Sequence, residues 1–312
     1  MVKIERYKYE DKNAWNEFVK KSKNANFLFY RDYMEYHSER FNDFSLLFYE
    51  NEKLIGLLPA NITDEILVSH GGLTYGGIIS DNKMTTTKML EIFEVLKEYL
   101  ISQRIKKLKY KAIPHIYHTI PAEEDIYALF INNAKLVKSD VSTSIFSKEK
   151  LKFNELRKRG VNKAIKNGLI VRQNIDFKSY MKIVEKVLSV KYKTKPVHTS
   201  DEMKLLTEHF PENIKLFASF KEENMLAGVI IYESKNVAHA QYIACLDEGK
   251  EIGALDLVFD YLINDYYKDK KFFDFGISTE KDGKYLNTGL ISQKEMFGAR
   301  AIIYNTYEIT LN

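Results

Sequence analysis

Apolar positions recur along the chain with two periods, near 2 and near 3.6 residues, and the two alternate in the same order twice. Residues 13–23 place Trp15, Phe18 and Val19 on one face, which predicts a short helix. The apolar runs at 44–49 and 54–62 flank Glu50-Asn51-Glu52-Lys53, a β-hairpin with a polar turn. A strand-like stretch at 66–79 follows, with glycines at 71, 72, 76 and 77. Met89, Ile92, Phe93, Leu96, Tyr99 and Leu100 then define an amphipathic helix, and 107–113 the strand after it. The second half repeats the order. Runs at 216–220 and 225–232 flank a Lys-Glu-Glu-Asn turn, and 237–245 is the next strand. Leu255, Val258, Phe259, Leu262, Ile263 and Tyr266 form a second amphipathic helix, and 272–277 the strand after it. The hairpin glycines, Gly56 and Gly228, are 172 residues apart, and the helix segments Glu98-Tyr99-Leu100-Ile101 and Asp260-Tyr261-Leu262-Ile263 are 162 apart. An internal duplication with loop differences accounts for both offsets.

The expected architecture is α/β in the α+β sense: two like domains, 1–145 and 146–312, each a mixed, mainly antiparallel sheet flanked by helices. A length of 312 residues suits two domains. The sequence leaves open whether the final strand, 300–311, packs on the second domain or returns to the first.

Composition narrows the function. At 45% apolar and 29% charged residues the chain is globular rather than disordered. A single cysteine, Cys245, excludes a disulfide framework or a multi-thiolate zinc site, and no metal is expected. The N-terminus is charged from its third residue and so is no signal peptide. The uncharged stretch 66–80 is too short and too glycine-rich to span a bilayer, so a cytoplasmic protein without a transmembrane segment is expected.

Net charge is +4, but residues 148–195 carry 15 Lys and Arg against 4 Asp and Glu. A basic segment in an otherwise acidic chain suits a phosphate-bearing partner such as a coenzyme, a sugar nucleotide or tRNA. A solvated surface helix is the plain alternative. No RGG or RNP pattern points to sequence-specific RNA recognition, and no DNA partner is expected.

The repeated order resembles the GNAT acyltransferase fold, in which the strand before the long helix splays from its neighbour. A glycine turn there presents helix N-terminal N–H groups to a coenzyme pyrophosphate. In the second half this turn would be Lys250, Ile252, Gly253 and Ala254, although Leu255 stands where a second small residue belongs. The first half has no glycine from Asp81 to Lys88. Tandem GNAT-like halves resemble the Fem-related (FemAB/FemX-like) N-acyltransferases. Gly289-Leu290-Ile291-Ser292-Gln293-Lys294-Glu295-Met296-Phe297-Gly298 is similar to that family's G-L-x-x-F-K-x-x-F-G signature. Tyr75-Gly76-Gly77-Ile78-Ile79-Ser80-Asp81 resembles its R-G-P-hydrophobic-x-D segment. The basic stretch from Leu156 to Gly168 resembles the helix opening its second domain.

The resemblance implies roles. Lys294 would stabilise negative charge on the reacting donor, Asp81 would help deprotonate the acceptor amine, and Arg157 or Arg159 would hold an acceptor diphosphate. His37 stands where the family has a lysine, so the acceptor need not be the peptidoglycan nucleotide. Tyr242 and His239 lie on the strand before the glycine turn, where such enzymes place an acid or base. Asp274 is an isolated carboxylate in an apolar strand, suited to substrate contact or to a buried hydrogen bond. Asn287 could contact substrate or form a turn, and Asp81 could simply cap the following helix. Cys245 is a weak candidate for a covalent acyl intermediate.

The function these expectations support is N-acyl transfer to an amine of a cell-envelope sugar or precursor. The donor would be acetyl-CoA or another acyl-CoA, with aminoacyl-tRNA as the alternative. A non-catalytic GNAT-like scaffold is the competing class. A nucleotide-hydrolysing enzyme is disfavoured, because no phosphate-binding G-x-x-x-x-G-K-[ST] loop exists. The oligomeric state is not legible.

Overall fold

The computed structural model describes residues 1–311. Contacts divide them into two compact units, 1–141 with 279–285 and 303 onward, and 142–278 with 286–302.

In the first unit, β1 (Val2–Arg6) and β3 (Lys53–Leu58) flank β2 (Leu46–Glu50), all antiparallel. The hairpin turn places Asn51 and Glu52 at φ 47° and 62°, the twist that suits a two-residue hairpin. The expected strand across 66–79 is two short ones, β4 (Ile66–Val68) and β5 (Ile79–Ser80), with a loop between them. The four glycines explain the break. Gly76 lies so close to the Ser69 carbonyl that a Cβ would sit 2.0 Å from its oxygen, and Gly77 takes φ 94° under Tyr110. A side chain fits at neither point, so the segment makes a tight loop rather than a ladder. The predicted helices are α1 (Lys12–Lys21) and α2 (Thr86–Ser102), and Thr85, not Asp81, caps α2. β6 (Lys107–Lys111) pairs parallel with β4.

In the second unit, residues 142–146 of β7 (Lys135–Phe146) pair antiparallel with residues 272–277. α3 (Glu155–Lys166), β8 (Ile170–Asn174), α4 (Phe177–Tyr192) and α5 (Ser200–His209) follow. The basic segment thus holds two helices and a strand. The expected hairpin is β9 (Ile214–Lys221) and β10 (Asn224–Glu233), and β11 (Val237–Cys245) pairs antiparallel with β10. The second amphipathic helix is α6 (Ala254–Tyr261), continued by a π-helical turn at Leu262–Tyr266. β12 (Phe272–Ile277) and α7 (Thr288–Glu295) complete the unit. Val258, Phe259, Phe273, Phe275 and Phe297 anchor an aromatic core.

The last strand, β13 (Arg300–Thr310), pairs through Thr306–Thr310 with β6, and Ile309 and Leu311 join the first unit's core. The chain end therefore returns to the first unit. No helix among the described residues is long and apolar enough to cross a membrane.

Glycine fixes one crossing in the second unit. Gly253, at φ 79°, starts α6 directly against α3, where a Cβ would lie 2.2 Å from the Gly160 carbonyl oxygen. Gly168 has a similar φ of 73° but open space around it. Gly253→Ala should therefore destabilise the fold by about 3 kcal/mol or more, and Gly168→Ala by about 1–2 kcal/mol. Urea unfolding of both variants checks the difference, and equal losses would show that the crossing is not tight.

Candidate active site

Parallel pairing between β11 and β12 lasts for three residue pairs, Val237 with Phe272, Ala238 with Phe273 and His239 with Asp274. Beyond them the ladder stops, while β11 continues to Cys245. The residues past the last pair line a chamber of 340 Å³, with Ile243 and Ala244 on β11, Phe275 on β12 and Lys294 on α7.

Lys294 is 5% exposed. Its ammonium donates to the carbonyls of Gly276 (2.7 Å) and Ile277 (2.9 Å) and to Ser278 Oγ (2.9 Å). Three acceptors match the three ammonium protons. Burial pushes the lysine down to about 8, with Asp274 acting in the opposite direction. At neutral pH the group is a cation held by neutral partners in a dry setting, a fixed source of positive potential.

Asp274 is fully buried. It accepts from Ser142 Oγ at 2.8 Å, from the Gly276 N–H at 3.3 Å and from His239 Nδ1 at 2.6 Å. The carboxylate orients the imidazole through Nδ1, which donates to it, and leaves Nε2 on the side of the ring away from Asp274. Gly276 joins these groups. Its N–H holds Asp274, its carbonyl holds Lys294, and at φ 76° its Cα faces the His239 ring, with a Cβ position 3.4 Å from Cε1. The sequence marks Asp274 and Lys294 individually. The pairing of Asp274 with His239 is invisible there, because it arises from strand register across 35 residues.

A second cavity of 510 Å³ adjoins the chamber and shares Cys245, Lys250, Leu255 and Gln293 with it. Arg157, Arg159 and Lys163 of α3 line its other side. Arg157 pairs with Asp256 in the first turn of α6 at 2.7 Å, and Arg159 is exposed. Lys250 pairs with Asp247 at the surface. Ile252 ends the short helix before the turn, Gly253 lies against Gly160, and Ala254 is buried. The turn's glycine thus faces α3 rather than solvent, and the neighbouring opening is lined by Arg157, Arg159, Lys163 and Lys250 together with Glu251 and Asp256. Burial pushes the Cys245 thiol up to about 12, so no thiolate is available at neutral pH for a covalent intermediate.

The remaining predicted residues lie elsewhere. The Tyr242 hydroxyl is engaged by the N–H (3.1 Å) and Nδ1 (2.6 Å) of His198, and burial pushes it up to about 12. Asn287 caps α7, accepting from the Leu290 N–H at 3.0 Å. Asp81, in the first unit, accepts from the Lys83 N–H at 2.9 Å in a local turn. His37, also in the first unit, is buried against Tyr36, Phe41 and His70.

No protein-family model and no curated protein matches the sequence. Solved structures do resemble the fold. FemX aligns over 99% of this chain and 98% of its own, with a TM-score of 0.69 and 11% identity. L-PGS from Bacillus licheniformis aligns over 99% and 93%, with a TM-score of 0.60 and 13% identity. The chain has a Fem-like tandem GNAT fold. A tandem GNAT protein from the clavulanic acid biosynthesis pathway matches over 100% of this chain and 99% of its own, at a TM-score of 0.51 and 8% identity. In a GNAT-like unit the divergence of β11 from β12 is the splay between adjacent strands, and Lys294 stands beside it.

The depressed Lys294 value makes a stability prediction. Unfolded, the lysine titrates near 10.5; folded, near 8. Between those values the unfolded chain binds more protons, so this group makes stability rise with pH, and below 8 it adds no slope. Wild type should gain on the order of 3 kcal/mol relative to Lys294→Met between pH 8 and pH 10.5. Denaturant unfolding of both proteins across that range measures it, and parallel curves would show that Lys294 is not desolvated.

Proposed function

We propose that the second unit is an N-acyltransferase acting at the splay of β11 and β12, and that its acceptor is an amine on a cell-envelope sugar or precursor. One observation carries the reading. A buried ammonium and a carboxylate-held imidazole meet at a single residue, Gly276. The Fem-like fold supports it as well.

The donor is an acyl thioester or ester whose carbonyl enters the chamber toward Lys294. The acceptor nitrogen attacks the carbonyl carbon, forming the N–C bond as the π electrons move to oxygen. Lys294 stabilises that oxyanion. His239 Nε2 takes one proton from the attacking nitrogen, and Asp274 stabilises the imidazolium. The C–S or C–O bond then breaks, and the leaving group takes the proton from His239. Positioning supplies much of the rate, since both reactants are held beside fixed charges.

The covered Gly253 favours one second reading. A unit whose coenzyme turn faces its own helix α3 could serve as a non-catalytic module. The two readings separate in an acyl-transfer screen with acyl-CoA and aminoacyl-tRNA donors and amino-sugar acceptors. Lys294→Met should lower kcat by roughly 10²–10³, and His239→Gln by roughly 10²–10⁴, with the fold intact by circular dichroism. No turnover with any donor would favour the module, and turnover unaffected in both variants would place the catalysis away from Lys294 and His239.

A further inference from the structure

The inner chamber has a definite chemical character. Ile243, Phe259, Phe275, Leu290 and Phe297 present apolar surface to it, from two strands, two helices and the turn after α7. Its ionisable lining is Lys250, Lys294 and the thiol of Cys245, with no carboxylate among the described residues. An ammonium-bearing group inside would meet two ammonium groups and no carboxylate in the wall, with part of its water removed. An uncharged aliphatic chain would instead gain from every methylene it buries. The dimensions agree. A cavity of about 150 Å³ accommodates a benzene ring, so 340 Å³ has room for on the order of ten carbon atoms. The adjoining cavity carries Arg159, Lys163 and Lys250, side chains suited to the phosphates of a carrier, against Glu251 and an Asp256 already paired with Arg157.

We infer that the transferred group is an uncharged aliphatic acyl chain of medium length, delivered as a thioester on a phosphate-bearing carrier of the coenzyme A class. The chain lies among Ile243, Phe259 and Phe275, the carbonyl lies toward Lys294, and the carrier phosphates lie along α3. The acyl group stays intact: its carbonyl carbon leaves sulfur for the acceptor nitrogen, and the thiol takes up a proton. This inference rests on the transfer reading of the same site and names its donor.

Calorimetric titration of the full chain with CoA, acetyl-CoA, butyryl-CoA and octanoyl-CoA tests it without knowledge of the acceptor. Affinity should rise up to about fourfold per methylene and be greatest for octanoyl-CoA among these ligands. Ile243→Trp, which narrows the chamber from a half-buried strand position, should flatten the series while CoA itself still binds. Wild type carries the test even if that variant folds poorly. A flat series in wild type would overturn the chamber's role and leave acyl transfer standing. Absence of binding by every CoA ester would overturn the thioester donor. The transfer reading would then survive only if aminoacyl-tRNA turnover depended on Lys294.

Discussion

The second unit is organised around one buried charge. The Lys294 ammonium sits at the splay, and two consecutive backbone carbonyls with one hydroxyl satisfy it. Removing an ammonium from water costs several kcal/mol unless its protons are all matched. The match comes from Gly276, Ile277 and Ser278, the end of β12 and the residue just after it, so strand and helix α7 are fixed relative to each other. A methionine at 294 would fill similar space without that demand. The charged group is therefore a costly choice for packing alone.

The same strand end orders the second feature. Ladder pairing stops at His239 and Asp274, leaving both side chains at the apex of the divergence. Buried aspartate requires donors, and Ser142, Gly276 and His239 supply them. A left-handed backbone at Gly276 turns one residue's N–H to the carboxylate and its carbonyl to the lysine. The ladder stops beside the chamber, whose wall includes Lys294, and the turn at Gly276 joins that lysine to the Asp274–His239 pair.

Much of the fold was legible because each element carries its own period. The hairpins, the two long helices and the strands after them follow from alternation and 3.6-residue spacing, with ends within a few residues. The strand expected across 66–79 failed because glycine contacts with Ser69 and Tyr110 override its apolar composition. The return of β13 to the first unit depends on long-range pairing that no local pattern encodes. At the site, Lys294 and Asp274 were legible as oddities, a lysine in a motif and a carboxylate in an apolar strand. The partnership of Asp274 with His239 needed the register, and the closure of Gly253 on Gly160 needed the helix crossing. Neither pair is adjacent in sequence, so no spacing rule reaches them.

The most direct measurement of the central claim is a crystal structure of the protein with a hydrolysis-resistant acyl-CoA analogue in which a methylene replaces the thioester sulfur. The account predicts the ketone oxygen within hydrogen-bond distance of Lys294 Nζ, with His239 Nε2 facing the carbonyl carbon. An analogue bound with its carbonyl away from Lys294, or outside the space between β11 and β12, would contradict it.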